Sequence, residues 1–267
     1  FYNCKSLVNV PRFITTDETT PFENCSVMYS MFKDCLFEDD PRISTKSGED
    51  ISSLFEGCRN LTSVSGIDTS KAMFMSSIFR NCERLLIAPN VDLSCVLEEA
   101  ASVFEGCKSI TRTPEIKNLG NKLLRLPYLF KNCTNLTEVE VFDLNKVSNI
   151  SEMFRGCESL TEVPIFNTSK VTNMSSMFAN CISLREISSD LDLSGATNIA
   201  GIFNGCNKLT TIPLLNTANV QDMNSMFANC TSLVSIPKID TSSVVTMSNM
   251  FSGCKSLTIV PVLDMTN

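Results

Sequence analysis

Residues 153–173 read MFRGCESLTEVPIFNTSKVTN, and the chain returns to this phrase as MFANCISLREISS from Met177, MFANCTSLVSIPKIDTSSVVT from Met226 and MFSGCKSLTIVPVLDMTN from Met250. A unit that recurs with a period of roughly 20 to 50 residues builds stacked coils, because each unit alone has too little core to fold. Anchoring the register on Phe followed three residues later by Cys extends the repeat over the whole chain. The anchor rings are Phe1, Phe32, Phe55, Phe79, Phe104, Phe130, Phe154, Phe178, Phe203, Phe227 and Phe251. The matching thiols are Cys4, Cys35, Cys58, Cys82, Cys107, Cys133, Cys157, Cys181, Cys206, Cys230 and Cys254. From Phe32 onward the steps are 23 to 26 residues, which predicts about eleven coils.

Within a coil the apolar positions are fixed. Leu160 and Leu209 stand six residues after their Phe, and Val163 and Ile236 nine after theirs. A Pro often follows at once, as at Pro89, Pro114, Pro164, Pro213, Pro237 and Pro261. Proline cannot donate to a backbone ladder, so the extended arm is expected to hold about three to five paired residues and to end there. An Asp or Asn then opens a polar corner, as at Asp68, Asp143, Asn167, Asn216 and Asp240. Ahead of each Phe, apolar residues such as Val171, Met174, Met177 and Phe178 mark one face of a short helical turn. The expected coil is therefore a short strand plus a short helical turn.

The whole, residues 1–267, reads as a single right-handed repeat solenoid with irregular coils over 1–54 and regular coils over 55–267. TTDETTPFENC adds a polar loop near the start, residues 33–50 predict a looser acidic coil, and a small bulge is expected near Asn118–Lys122. Neither end carries a polar capping unit. The chain is thus expected to be a piece of a longer array, or to have its ends covered by other domains or subunits.

Composition removes several function classes. Among 267 residues there is no His and no Trp, and the formal net charge is −7. Without His, Ser-His-Asp and Cys-His catalysis and the usual Cys/His zinc sites are gone, so no enzyme, cofactor or metal is expected. The acidic balance disfavours nucleic acid as a partner. No apolar run is long enough to span a bilayer.

The motifs NTSKVTNMSSMFANC from Asn167 and DTSSVVTMSNMFSGC from Asp240 resemble the BspA-like leucine-rich-repeat surface proteins, in the subgroup with DTSxVTNMSSMFxxC repeats of about 24 residues. The likeness is close over residues 51–267 and looser before them, and the Trp that the subgroup carries ahead of its DTS motif is absent here. The resemblance implies a leucine-rich-repeat-like solenoid at the cell surface or secreted, binding a protein or glycan on a host or neighbouring cell. The alternative is a spacer or stalk array, such as a phage fibre, tail or other virion component.

Each residue class has a plain reading beside a functional one. The Phe and Cys series, at fixed register, predict a stacked core ladder with reduced, buried thiols. The Asp/Asn corners predict side-chain-capped turns before they predict calcium. The Glu138, Glu162 and Glu186 row is less easily absorbed. These residues stand at one register in three successive coils, eight after the anchor, with Glu140 and Glu115 near and Arg112 and Arg185 as relief. Stacked like charges repel, so Glu138, Glu162, Glu186, Glu140 and Arg185 form the candidate ligand-facing patch, against the plain reading of a solvated charged face.

Overall fold

The computed structural model describes residues 3–4, 22, 24–38, 40–162, 164–188 and 191–263. Phe1 and most of the polar loop TTDETTPFENC lie outside them. The coils stack in register, and the anchor rings form one continuous column. Neighbouring rings from Phe32 to Phe251 lie parallel at 5.6–6.0 Å between centroids. Every ring from Phe32 to Phe227 is fully buried, and only Phe251, in the last described coil, is partly open. Each buried ring contributes about 2 to 3 kcal/mol of burial free energy.

The arm that carries the anchor is not helical: no helix occurs among the described residues. It is a run of overlapping β-turns. In one coil, Met153 N–H donates to Ile150 O, Arg155 to Glu152, Cys157 to Phe154 and Leu160 to Cys157, at 3.1–3.2 Å. The intervening N–H groups point to the next coil: Ile150 to Asn173, Glu152 to Ser175, Phe154 to Met177 and Gly156 to Ala179, at 2.8–3.0 Å. Two residues before each anchor φ is positive (52–61° from Ser30 to Asn249), and two after it φ is positive again. A left-handed residue at the third turn position makes a type II turn and stops helix propagation. Turns linked i to i+3 also turn every third side chain inward, which is why their apolar spacing imitates a helical turn.

From the coil of Phe32 onward the position two after the anchor alternates: Asp34, Gly57, Asn81, Gly106, Asn132, Gly156, Asn180, Gly205, Asn229, Gly253. The backbone there is left-handed, which Gly and Asn tolerate best. Sterics fix the order. A Cβ on Gly253 would sit 2.6 Å from Asn229 Oδ1, and on Gly57, Gly106, Gly156 and Gly205 it would come closer still to Asp34, Asn81, Asn132 and Asn180. Each Asn or Asp side chain lies over the next coil, so the next coil must have none. The packing unit is a pair of coils.

Strand pairing is sparser than the expected three to five residues. Among the described residues two parallel pairs form: β1 (Val91–Asp92) with β3 (Ile116–Lys117), and β2 (Glu98–Glu99) with β4 (Leu123–Arg125). Elsewhere single bridges link successive coils, notably Arg125–Asn149–Asn173–Asn198–Asp222–Thr246 along one corner. Proline interrupts the extended arm, and the prolines' missing N–H groups leave single bridges there, Arg112–Glu138 and Ser235–Ile259. The expected bulge falls just later than Asn118–Lys122. Glu98 pairs Leu123 and Glu99 pairs Arg125, so Leu124 is the extra residue.

Side chains replace the missing ladder bonds. Buried Thr69 donates to Asp92 O at 2.8 Å and accepts from Asp92 N–H at 2.6 Å, and Thr45 does the same to Asp68. At the corners Asp68, Asp92, Asp143, Asp192 and Asp240 each accept the N–H two residues on, at 2.8–3.0 Å, as Asx turns. Burial works to raise the Asp92 carboxyl, but hydrogen bonds from Ser94 and Asn118 outweigh it and hold it below the usual range.

Candidate recognition face

The ladder thiols take up the core. Cys58, Cys82, Cys107, Cys133, Cys157, Cys181, Cys206, Cys230 and Cys254 are all reduced, and each Sγ donates to the main-chain carbonyl of the preceding coil's anchor Phe at 3.0–3.2 Å. That carbonyl also accepts a turn N–H from its own coil, so the thiol fills its second lone pair. Desolvation by burial drives these thiols away from ionisation and pushes Cys230 up to about 12. From Cys58 to Cys230 they are fully buried structural groups, with no access for a substrate.

The outward residues of the extended arm differ from coil to coil. Eight after the anchor the row runs Ser63, Ile87, Arg112, Glu138, Glu162, Glu186, Thr211, Ser235, Ile259, and all but Ser235 are exposed. The Arg112–Glu138 bridge puts the first two charged members side by side. Arg112 Nε lies 3.9 Å from Glu138 Oε2, and its Nη2 also pairs with Glu140. Lys117 engages Glu115 at 3.1 Å. Glu162 and Glu186 follow on the same register, both exposed, and neither they nor Arg185 form an ion pair among the described residues. The structure therefore gathers Arg112, Glu138 and Glu140. It leaves Glu162 and Glu186 as bare carboxylates, and Arg185 does not relieve them as expected.

Other registers show what an ordinary charged face looks like in this chain. One residue after the anchor the sign alternates as Lys33, Glu56, Arg80, Glu105, Lys131, with successive partners 2.9–3.9 Å apart. Lys131 continues to Glu152 at 2.8 Å, which also holds Arg155 at 3.0 Å. Burial opposes ionisation of Glu152, but Lys131 and Arg155 prevail and its pKa is lowered. Four after the anchor, Arg59, Glu83 and Lys108 alternate likewise, at 3.8 and 3.0 Å. Sequence reading missed both ladders, although their signal, sign alternation at one register, was in plain view. Against them, three successive Glu on one register is a departure.

At the upstream end of this row the surface opens into a shallow groove of about 640 Å3 across three coils. Leu86, Ile87 and Val141 line it and stay 62%, 77% and 61% exposed, while Arg112, Glu115 and Glu140 form its polar floor and rim. Among the described residues no three His, Cys, Asp or Glu gather in a metal-binding cluster, and no helix is long and apolar enough to cross a membrane.

Three stretches, 12–118, 124–235 and 197–261, match the family model described as "Mycoplasma protein of unknown function, DUF285". Among solved structures the chain is similar to a leucine-rich repeat protein of T. pallidum (22% identity, TM-score 0.45, covering 63% of this chain and 78% of that one). It is also similar to a leucine-rich repeat protein from Bacteroides ovatus (18% identity, TM-score 0.35, 82% and 74%). A third is a leucine-rich cell surface protein from Faecalibacterium prausnitzii (20% identity, TM-score 0.38, 86% and 73%). No curated protein matches the chain.

Proposed function

The chain belongs to the DUF285 family, whose repeats are of the BspA-like leucine-rich type, and from that premise we propose that it is a non-enzymatic recognition module of the cell surface. It binds a protein or glycan through the extended arms of its coils, as an adhesin does. One observation carries this reading. The largely exposed row from Ser63 to Ile259 holds polar, aliphatic, cationic and anionic side chains in different coils, with Glu repeating at Glu138, Glu162 and Glu186. A spacer needs uniform polar faces; a binding face needs differentiated ones. The groove beside Ile87 and the bare Glu162 and Glu186 supply apolar and charged contacts on that same side.

Two measurements test the proposal together. Membrane-impermeant labelling of intact source cells should tag the protein, and the purified chain should bind members of an extracellular protein and glycan array saturably. Labelling only after lysis, or no saturable binding, would favour the stalk or virion-component alternative.

A further inference from the structure

Resting on the recognition reading, we infer the chemistry of the partner: an extended, basic polypeptide segment with one aliphatic side chain, seated along the groove and the glutamate row. The groove is open and shallow, so it suits a strand laid across it better than a small molecule enclosed by it. Its wall of Leu86, Ile87 and Val141 offers an aliphatic anchor site that the fold leaves uncovered. Its cation, Arg112, is already engaged by Glu138 and Glu140. What continues from the groove along the stack is negative, Glu138, then Glu162, then Glu186, at one register in adjacent coils.

Coils repeat at roughly 5 Å, the distance between neighbouring strands. Three stacked carboxylates therefore span only about 10 Å, within reach of two or three Lys or Arg side chains on one extended segment. Elsewhere the chain cancels charge between neighbouring coils, as along Lys33, Glu56, Arg80, Glu105 and Lys131. Here it stacks like charges at a cost in stability. A basic segment lying across the row supplies the missing counter-charge. The neighbouring apolar wall fixes its position, which charge alone would not do.

The test pans displayed short random peptides against the whole chain, then measures synthetic copies of the selected peptides against wild type, E162K/E186K, E162Q/E186Q and I87D. These positions are exposed, and a single cooperative thermal unfolding transition in each variant checks the fold. Selected peptides should carry clustered Lys or Arg beside a Leu, Ile or Val. Their binding should weaken by about tenfold or more in E162K/E186K and in I87D, less in E162Q/E186Q, and further with added salt. Selection of peptides without basic residues, equal binding to all variants, or no selection at all overturns the inference. The array measurement on wild type is independent, so a positive array with any of these results leaves the recognition module standing without this partner.

Discussion

The thiol of Cys157 donates to the main-chain carbonyl of Phe130, the anchor ring of the coil before it, at 3.2 Å. The contact recurs from Cys58–Phe32 to Cys254–Phe227, so the cysteine is a hydrogen-bonding core residue as well as a small apolar one. Cys157→Ala removes the donor and leaves a cavity, and should cost about 2 kcal/mol in urea unfolding. Cys157→Val fills the thiol's space, loses the donor and adds an extra methyl to a packed column. It too should destabilise, by about 1 to 3 kcal/mol. A Cys157→Val variant as stable as wild type would show that the thiol acts only by its size.

Reactivity should divide the cysteines. Cys95 is exposed, whereas Cys58 to Cys230 of the ladder are fully buried. Burial also raises the ladder thiols' pKa, Cys230 to about 12, so at neutral pH they are shielded both from the reagent and from ionisation. Iodoacetamide should modify Cys95 in the native chain, the half-buried Cys4, Cys25 and Cys254 more slowly, and the remaining ladder only with unfolding. Mass spectrometry of timed samples reads this directly, and labelling of Cys133 or Cys157 at the rate of Cys95 would contradict it.

The alternation of Asn and Gly is open to a double-mutant cycle. Gly156→Ala places a Cβ against Asn132 Oδ1 in a left-handed backbone, and should cost about 2 kcal/mol or more. Asn132→Gly makes room and should recover part of that loss, leaving mainly the conformational penalty of about 1 kcal/mol. Strict additivity of the two changes would refute the steric origin of the two-coil unit.

Much of this molecule was legible in its residues. The Phe and Cys spacing alone gave the stacked coils and the identity of the column from Phe32 to Phe227, because a core residue repeated at one register has nowhere else to go. The turn arm was misread as helical, since residues such as Val171, Met174 and Met177 are spaced three apart in either conformation. The signal that distinguishes them was the left-handed pair around each anchor, written as Gly156 or Asn132 two residues after it. The glutamate row was found by register, but the loss of Arg185 as its counter-charge and the groove beside Ile87 depend on side-chain directions that no repeat pattern specifies.

Acid should act on the other charged face. Glu152 has a depressed pKa, set by Lys131 and Arg155 against the opposing effect of burial. Its contribution is therefore fully present above the ordinary Glu range and is lost as pH falls through its lower folded value. Glu152→Gln should destabilise by about 1 kcal/mol or less at neutral pH, a partly exposed pair being screened by solvent. The difference from wild type should vanish in strong acid. Urea midpoints measured across that interval test the sign, and a difference that grows toward low pH would contradict it.

The central claim is that recognition uses the arm bearing Ile87, Glu138, Glu162 and Glu186. It is tested most directly by probing one extracellular protein and glycan array with three proteins: wild type, E138K/E162K/E186K, and a control reversing the Arg59, Glu83 and Lys108 ladder. The account predicts that whatever wild type binds is retained by the control and lost by the glutamate-row variant. Binding lost equally in both, or kept by the glutamate-row variant, would place recognition elsewhere on the molecule.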